Sequence, residues 1–452
     1  MGKRPGWTMF LTLYQLLLRG HYVCWCTTSH DGFVEFFNQS LQYHTDTQKL
    51  PLGPRYLPLI YNAFTIFVTV ALLQRKLPRS RLSSFSKSGA TLRIYLGTAH
   101  GHAVVPNLII NTCFLLGALD FVFRARLLNL GDDVAFSRVG FVDDRSAKIV
   151  LRIPEAISVL LEYKAEGAEQ WIHGSISQFS HVTDFVETIL LRNLSEDTLY
   201  EYRTNTSLRG SFRTTAQSPK QWSMVSSSCI SPGFPYNPVG KSLEIQGLTH
   251  LSRYIQARSI DFMLFHGDFI YIDLPFPQRQ TNIDYRRAYR RAYASPSWTP
   301  ALQDLSFIHT YDDHEFENDW ASNTTGIFWD AVEPFQHYQG NANPPSDFND
   351  SYFTFHRGDV HFFVMDARRY RSSAEVVDGP GKTMLGGKQL ADLLHWLATA
   401  PGLKVVISSV PFTRNWRGPE SADSWAGYLH ERQKILQSMW ETQGVIIISG
   451  VS

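Results

Sequence analysis

From Gln221 onward, short apolar runs alternate with longer stretches whose apolar residues recur at helical spacing. The runs are WSMVSSSC, DFMLFHGD, SFIHTYDDHE, VHFFVMDAR, LKVVISSVPF and VIIISG. Helical patterns lie between them, such as SLEIQGLTHLSRYIQARS and GGKQLADLLHWLATA. That order predicts an α/β domain. Nearly every apolar run ends in polar, reactive residues: Cys229, Asp268, Asp312–Asp313–His314 and Asp366. In α/β sheets, ligands bind beyond the carboxyl ends of strands. These residues are therefore the first candidates for a site.

Upstream, Phe136 to Ala216 reads as an all-β module. In AKIVLRI the alternation puts Ala147, Ile149, Leu151 and Ile153 on one face. LRNLSEDTLYEYR then leads through a turn into a Tyr-x-Tyr strand. A leucine, a turn with threonine and then a tyrosine is similar to the tyrosine corner of immunoglobulin-like and fibronectin-like sandwiches. GSFRTT would be the last strand. This module carries no chemistry of its own.

The leading residues differ again. MGKRPGWTMFLTLYQLLL has a basic tip and a short apolar run, the pattern of a signal peptide or a first span over 7–24. Tyr56 to Leu73 is uncharged over about the length that crosses hydrocarbon. Val104 to Leu119 is likewise uncharged, giving a second span near 104–123. Between them, Arg75, Lys76, Arg79, Arg81, Lys87 and Arg93 stand with no acid. The positive-inside rule puts that loop in the cytosol and everything after Arg126 outside it. The sequons Asn38, Asn193, Asn205, Asn323 and Asn349 all fall on the outer side. The expectation is a multi-pass protein anchored in a lipid bilayer, its C-terminal domain lumenal or extracellular. A cleaved leader and a secreted remainder is the other option.

Composition sharpens this picture. Hydrophobic residues are 44% and charged residues 18% of the 452 residues, a low charge that agrees with membrane segments. A net charge of +1 without a long basic run argues against a nucleic-acid partner. Cys24, Cys26, Cys113 and Cys229 are too few and too irregular for a disulfide framework, and no CxxC pair is present.

Two stretches carry the chemistry. In LFHGDFIYID, Gly267 lets the chain turn at the strand end and Asp268 projects as a hard oxygen donor, with Tyr271 close enough to share its target. A phenolate ligand fits only beside a hard, highly charged cation that lowers the phenol pKa. In HTYDDHEFENDW, Asp312, Asp313, His314, Glu315, Glu317, Asn318 and Asp319 crowd together, a donor set for divalent cations and a phosphate. Asp312 and Glu315 also have capping-box spacing. Cys229 is either a buried inert thiol or a thiolate ligand. Arg286, Arg287, Arg290 and Arg291 of YRRAYRRAY either draw in phosphate esters or form a solvated helix face.

Taken in order, Ser227-x-Cys229, HGDFIYID, YRRAYRRAY, HTYDDHEFENDW, FFVMDARRYR and MLGGKQLADLLHWL resemble the PhoD-like alkaline phosphatases of the metallophosphatase superfamily. The likeness runs from about Phe136 to the C-terminus, and the hydrophobic leader is similar to that of fungal members. It implies an α/β metallophosphoesterase-like fold, a two-sheet β-sandwich flanked by helices, at 218–452. The immunoglobulin/fibronectin-like domain at 135–217 and membrane helices within 1–134 would precede it. It implies an iron–calcium centre: Cys229, Asp268 and Tyr271 on Fe³⁺, Asp268 bridging to Ca²⁺, and Asn318 at the calcium. His314 and Asp313 are the catalytic candidates, His266 and Asp273 their supports. The implied activity is phosphoester hydrolysis, monoester or diester. The alternative is a non-catalytic membrane-tethered module keeping the fold. In the family, the last strand runs on into Gly-Asp-x-His, whereas here Val451 and Ser452 follow Gly450. Val-Ser also translates the consensus start of an intron. The expectation is thus a truncated reading of a longer gene, inactive as it stands.

Overall fold

Strict alternation along the central strands decides the architecture. In the computed structural model, Phe262 and Leu264 of one strand face one core cluster while Met263 and Phe265 face another. The same split recurs for Phe362 and Val364 against Phe363 and Met365, and for Val405 and Ile407 against Val406. Strands buried on both faces read as continuous apolar runs. The structure describes residues 131–450 apart from 234–236, 238, 274–279, 347–349, 414–421 and 443, together with isolated helical positions between 105 and 124.

Seven strands come first: β1 (Phe136–Val142), β2 (Ala147–Arg152), β3 (Ser158–Ala165), β4 (Ile172–Gln178), β5 (Val186–Leu191), β6 (Leu199–Thr204) and β7 (Arg209–Arg213). They form two antiparallel sheets, ordered β1-β2-β5 and β4-β3-β6-β7. Ala147, Ile149, Leu151 and Ile153 share one core with Val159, Leu161, Tyr202 and Phe212, as their alternation predicts. The Ser195 N–H donates to Tyr200 Oη at 2.8 Å, pinning the turn that enters β6.

The α/β part has two further sheets. β8 (Met224–Ser227), β9 (Phe262–His266) and β10 (Ser306–Thr310) run parallel in the order β10-β9-β8. β11 (Phe353–Arg357), β12 (Val360–Val364), β13 (Leu403–Ser408) and β14 (Val445–Ser449) lie in chain order, β11 antiparallel and the rest parallel. Their facing sides enclose Phe262, Leu264, Ile308, Phe355, Phe362 and Ile407. Helices α1 (Gln246–Gln256), α2 (Asn282–Tyr293), α3 (Pro300–Gln303) and α4 (Phe328–Tyr338) contribute to the core on the outer face of β9 and β10. Helices α5 (Gly386–Thr399) and α6 (Leu429–Thr442) do so on the outer face of β12 and β13.

The β1–β7 module and the α/β part belong to one compact unit, Asn129–Phe234, Lys241–Asp273 and Pro277–Ser452. β1 is built into both. Its Phe136 stacks on Tyr293 with ring centroids 4.2 Å apart, and Ser306 Oγ donates to Gly140 O at 2.8 Å. Two arginines of the α2 repeat, Arg286 and Arg290, are tied into the fold. Arg290 reaches Asp184 Oδ1 at 2.8 Å and Asp132 Oδ1 at 2.7 Å, while Arg286 donates to His181 O at 3.0 Å and Glu333 Oε1 at 2.6 Å. Asp184 also accepts from Tyr338 Oη at 2.5 Å and from Arg152 at 3.4 Å. Charge runs are usually solvated faces. Here the loop before β5, with Asp132 and Glu333, supplies the acceptors.

The spans expected at 7–24 and 56–73 lie outside the described residues, as does much of the one at 104–123. Among the described residues, no helix is long and apolar enough to cross a membrane.

Candidate active site

The parallel strands of both sheets end on one site. Past β8 and β9, the ladder continues through Cys229 N–H to Gly267 O at 3.2 Å and Ile230 N–H to Asp268 O at 2.9 Å. Cys229 and Asp268 are held there with φ of 63° and 57°, and Gly267 with 93°. Left-handed backbone at a residue with a side chain costs about 1–3 kcal/mol and persists only where the surroundings impose it. Glu315 imposes it. Its carboxylate accepts from Asp268 N–H at 2.9 Å, Phe269 N–H at 2.6 Å and Asp312 N–H at 2.8 Å, stapling the ends of β9 and β10 together. The capping-box spacing of Asp312 and Glu315 is thus real, and it serves a 3₁₀ turn, Asp313–Glu315.

The side chain of Asp268 is the meeting point. Its Oδ2 accepts from Cys229 Sγ at 3.3 Å and Tyr271 Oη at 3.1 Å. Its Oδ1 is buried with no hydrogen-bond partner. Burial, then the charge of Asp268, raises both the Cys229 thiol and the Tyr271 phenol above their ordinary values. Burial also raises Asp268, to about 6, against the pull of His314. Thiol and phenol therefore keep their protons until a cation offsets their burial, as donors for a highly charged ion do.

Asp313 and His314 follow at the end of β10. Ligand atoms of Asp268, Asp313 and His314 lie within 4.8 Å of one another, and so do those of Asp313, Asp319 and Asp423. His314 Nδ1 is 2.8 Å from Asp273 Oδ1, and its ring lies over Tyr271 with centroids 4.3 Å apart. Burial opposes a charge on His314, but Asp313, the Asp273 hydrogen bond and Asp268 outweigh it and push its pKa up to about 10.

Residues 238–451 match the model of the family described as PhoD-like phosphatase. This region is similar to the PhoD-like phosphatases. Alkaline phosphatase D of Bacillus subtilis (strain 168) is 23% identical over 245 residues, covering 44% of this chain. The chain spans 42% of the length of that curated relative. A solved structure of PhoD aligns with a TM-score of 0.58 at 19% identity, over 70% of each chain, a likeness of fold.

The fold brings Cys229, Asp268, Tyr271, Asp313 and His314 together. Asn318 is tied in through its main chain, donating N–H to Asp273 Oδ2 at 3.2 Å. Asp366, a candidate from its place at a strand end, is structural instead. It accepts from Tyr311 Oη, Ser351 Oγ and the N–H groups of Arg368 and Arg369, the last two at 2.9 Å. It shapes the turn that delivers Arg368. The sequence assigns no role to Arg368 or Asp423, yet both are buried beside the cluster. Arg368 is visible as the first of three arginines in FFVMDARRYR, but nothing local says which way it points. Asp423 has no spacing signal at all. Asp273, expected only as a support, is the partner that orients His314.

Proposed function

We propose, against the inactivity expected from the sequence, that this chain hydrolyses phosphoesters at a metal centre built on Asp268, with Fe³⁺ held by Cys229, Asp268 and Tyr271 and Ca²⁺ held on the side of Asp313 and Asn318. The observation that carries this reading is Asp268 itself. It has a left-handed backbone, one carboxylate oxygen shared by a thiol and a phenol, and the other buried without a partner. A buried polar atom left unsatisfied costs about 1–3 kcal/mol, and an ion at Oδ1 removes that penalty. The donor chemistry fits the two ions, thiolate and phenolate suiting the ferric ion and carboxylate and amide oxygens the calcium. When bound, the cations would neutralise the phosphoryl oxygens and ready water for attack near neutral pH.

The chain's own residues do the rest. Asp273 fixes the His314 ring, so that it meets a phosphoryl oxygen in one orientation. Glu315 holds the main chain of Asp268 and Asp312 rigid, which keeps Asp268 and the neighbouring Asp313 preorganised. The test is turnover of 4-nitrophenyl phosphate and bis(4-nitrophenyl) phosphate by the full chain loaded with iron and calcium. Asp268→Ala is expected to abolish turnover and to release both metals. A loaded wild-type chain that hydrolyses neither ester refutes the reading, and favours the non-catalytic alternative.

Two further readings rest on the sequence. The strand orders β1-β2-β5 and β4-β3-β6-β7, with the Tyr200–Ser195 bond, support an immunoglobulin- or fibronectin-like identity for the first module. The basic loop at Arg75–Arg93 supports an extracytosolic site, and Asn193 and Asn323 are both exposed and open to glycosylation. Glycosidase-sensitive mass at those two asparagines checks the topology, and their complete absence of glycan with protease access only from the cytosol refutes it.

A further inference from the structure

Arg368 stands at the exit of β12, in one sheet, and its partners stand at the exit of β10, in the other, and in the loop before α6. It has no solvent exposure. Its Nε donates to Asp312 Oδ1. Its Nη1 reaches Asp423 Oδ1 at 2.7 Å and Trp320 O at 3.3 Å, and its Nη2 reaches Asp423 Oδ2 at 3.2 Å. Nη2 is also 3.6 Å from Asp313 Oδ1. A guanidinium has five N–H donors. These contacts engage all three nitrogens, which leaves no free fork for a substrate phosphate. Arg371, also buried, backs Asp423 at 2.8 Å.

We infer that Arg368 is a positioning residue that sets Asp312, and through it Asp313 and the whole Asp312–Glu315 turn, rather than a phosphate-binding arginine. A buried ion pair is a poor device for stability alone, since apolar packing of the same volume usually does as well. What the pair supplies is geometry. The planar fork fixes Asp423 on one side and Asp312 on the other in a single register. Asp313 is the member common to both groups of potential metal ligands, and it follows the clamped Asp312 directly. The two sheets meet at this arginine, so a shift at either strand end would be transmitted to the ligand cluster.

The inference rests on the phosphoesterase reading, and the test separates the two. Arg368→Lys keeps the charge and removes the fork. With 4-nitrophenyl phosphate, kcat is expected to fall about a hundredfold, the effect of an ångström-scale misplacement. KM and inhibition by inorganic phosphate are expected to stay within about twofold, as for an interaction absent from ground-state binding. A rise in KM and weakened phosphate inhibition with kcat kept would make Arg368 a substrate contact and overturn the inference, as would wild-type kcat. If the lysine variant does not fold, Asp423→Asn is measured instead, with the same kcat-only loss expected and the same results refuting it. If the wild-type chain turns over no phosphoester, the functional reading fails by itself. Calcium affinity then carries the test. Arg368→Lys should weaken it by about tenfold or more, and unchanged affinity overturns the inference.

Discussion

Replacing Gly267 by alanine should damage the site more than any change of comparable size elsewhere in the sheets. Two effects add. The position has φ of 93°, where a residue with a Cβ is strained by about 1–2 kcal/mol. The new methyl would also lie 2.4 Å from Asp312 N, 2.6 Å from Asp312 Cβ and 2.7 Å from the Tyr311 carbonyl carbon. Main-chain atoms cannot swing aside, so β9 and β10 must part at their ends. Such overpacking costs about 1–3 kcal/mol. Together Gly267→Ala should cost about 2–5 kcal/mol, a substantial part of an ordinary domain's stability. The matched control is Gly387→Ala in α5, where an added methyl meets nothing within 4 Å. There alanine should add about 0.5–1 kcal/mol, since glycine is a poor helix residue. Urea unfolding of both variants, compared at equal m-value, gives the difference. Because Glu315 bridges the two strand ends, calcium affinity should fall in Gly267→Ala and stay unchanged in Gly387→Ala. A loss below about 1 kcal/mol for Gly267→Ala would refute the claim that the two strand ends are in rigid contact.

Three more predictions follow from the same geometry. Tyr271→Phe should remove the visible phenolate-to-iron absorption of the iron-loaded protein while leaving its fold intact, and a spectrum unchanged by the substitution would remove Tyr271 from the ligand set. Asp184→Ala strands Arg152 and Arg290 without their shared buried partner and should destabilise the protein by about 3–5 kcal/mol in urea unfolding, against near zero for a solvated charge. His361 faces His356 directly across β11 and β12, and burial, then His356 and Lys404, lowers its pKa. The folded state therefore binds this proton less tightly than the unfolded chain, so the stabilising contribution is complete above the ordinary histidine pKa and is lost as pH falls through the lowered one. His361→Gln should flatten the fall of the urea midpoint on acidification, and an unaltered pH profile would show that the pair does not matter.

Much of the fold was legible because it depends on local periodicity. A strand buried on both faces must be apolar throughout, so WSMVSSSC, DFMLFHGD, VHFFVMDAR, LKVVISSVPF and VIIISG each carry the strand found there. Alternation in AKIVLRI likewise fixes which side of β2 faces the first core. The candidate site residues stand out for a related reason. A residue at a strand end is adjacent in sequence to the apolar run that positions it, as Asp268 and Tyr271 are to β9 and Asp313 and His314 to β10.

The long-range partners were not legible, because a side chain's charge says nothing about what closes over it. YRRAYRRAY has the composition of an anion-binding or solvated helix. The loop at His181–Asp184, distant in sequence, turns Arg286 and Arg290 into clamps for the first β module. Asp366 had the look of a ligand, and four donors that converge only in the folded chain make it a brace. Asp423 could not be found at all, since its role exists only where Arg368 of another strand end reaches it. Periodicity and strand-end chemistry are properties of a segment, and the sequence contains them. Saturation of a buried charge is a property of several segments at once, and only their packing decides it.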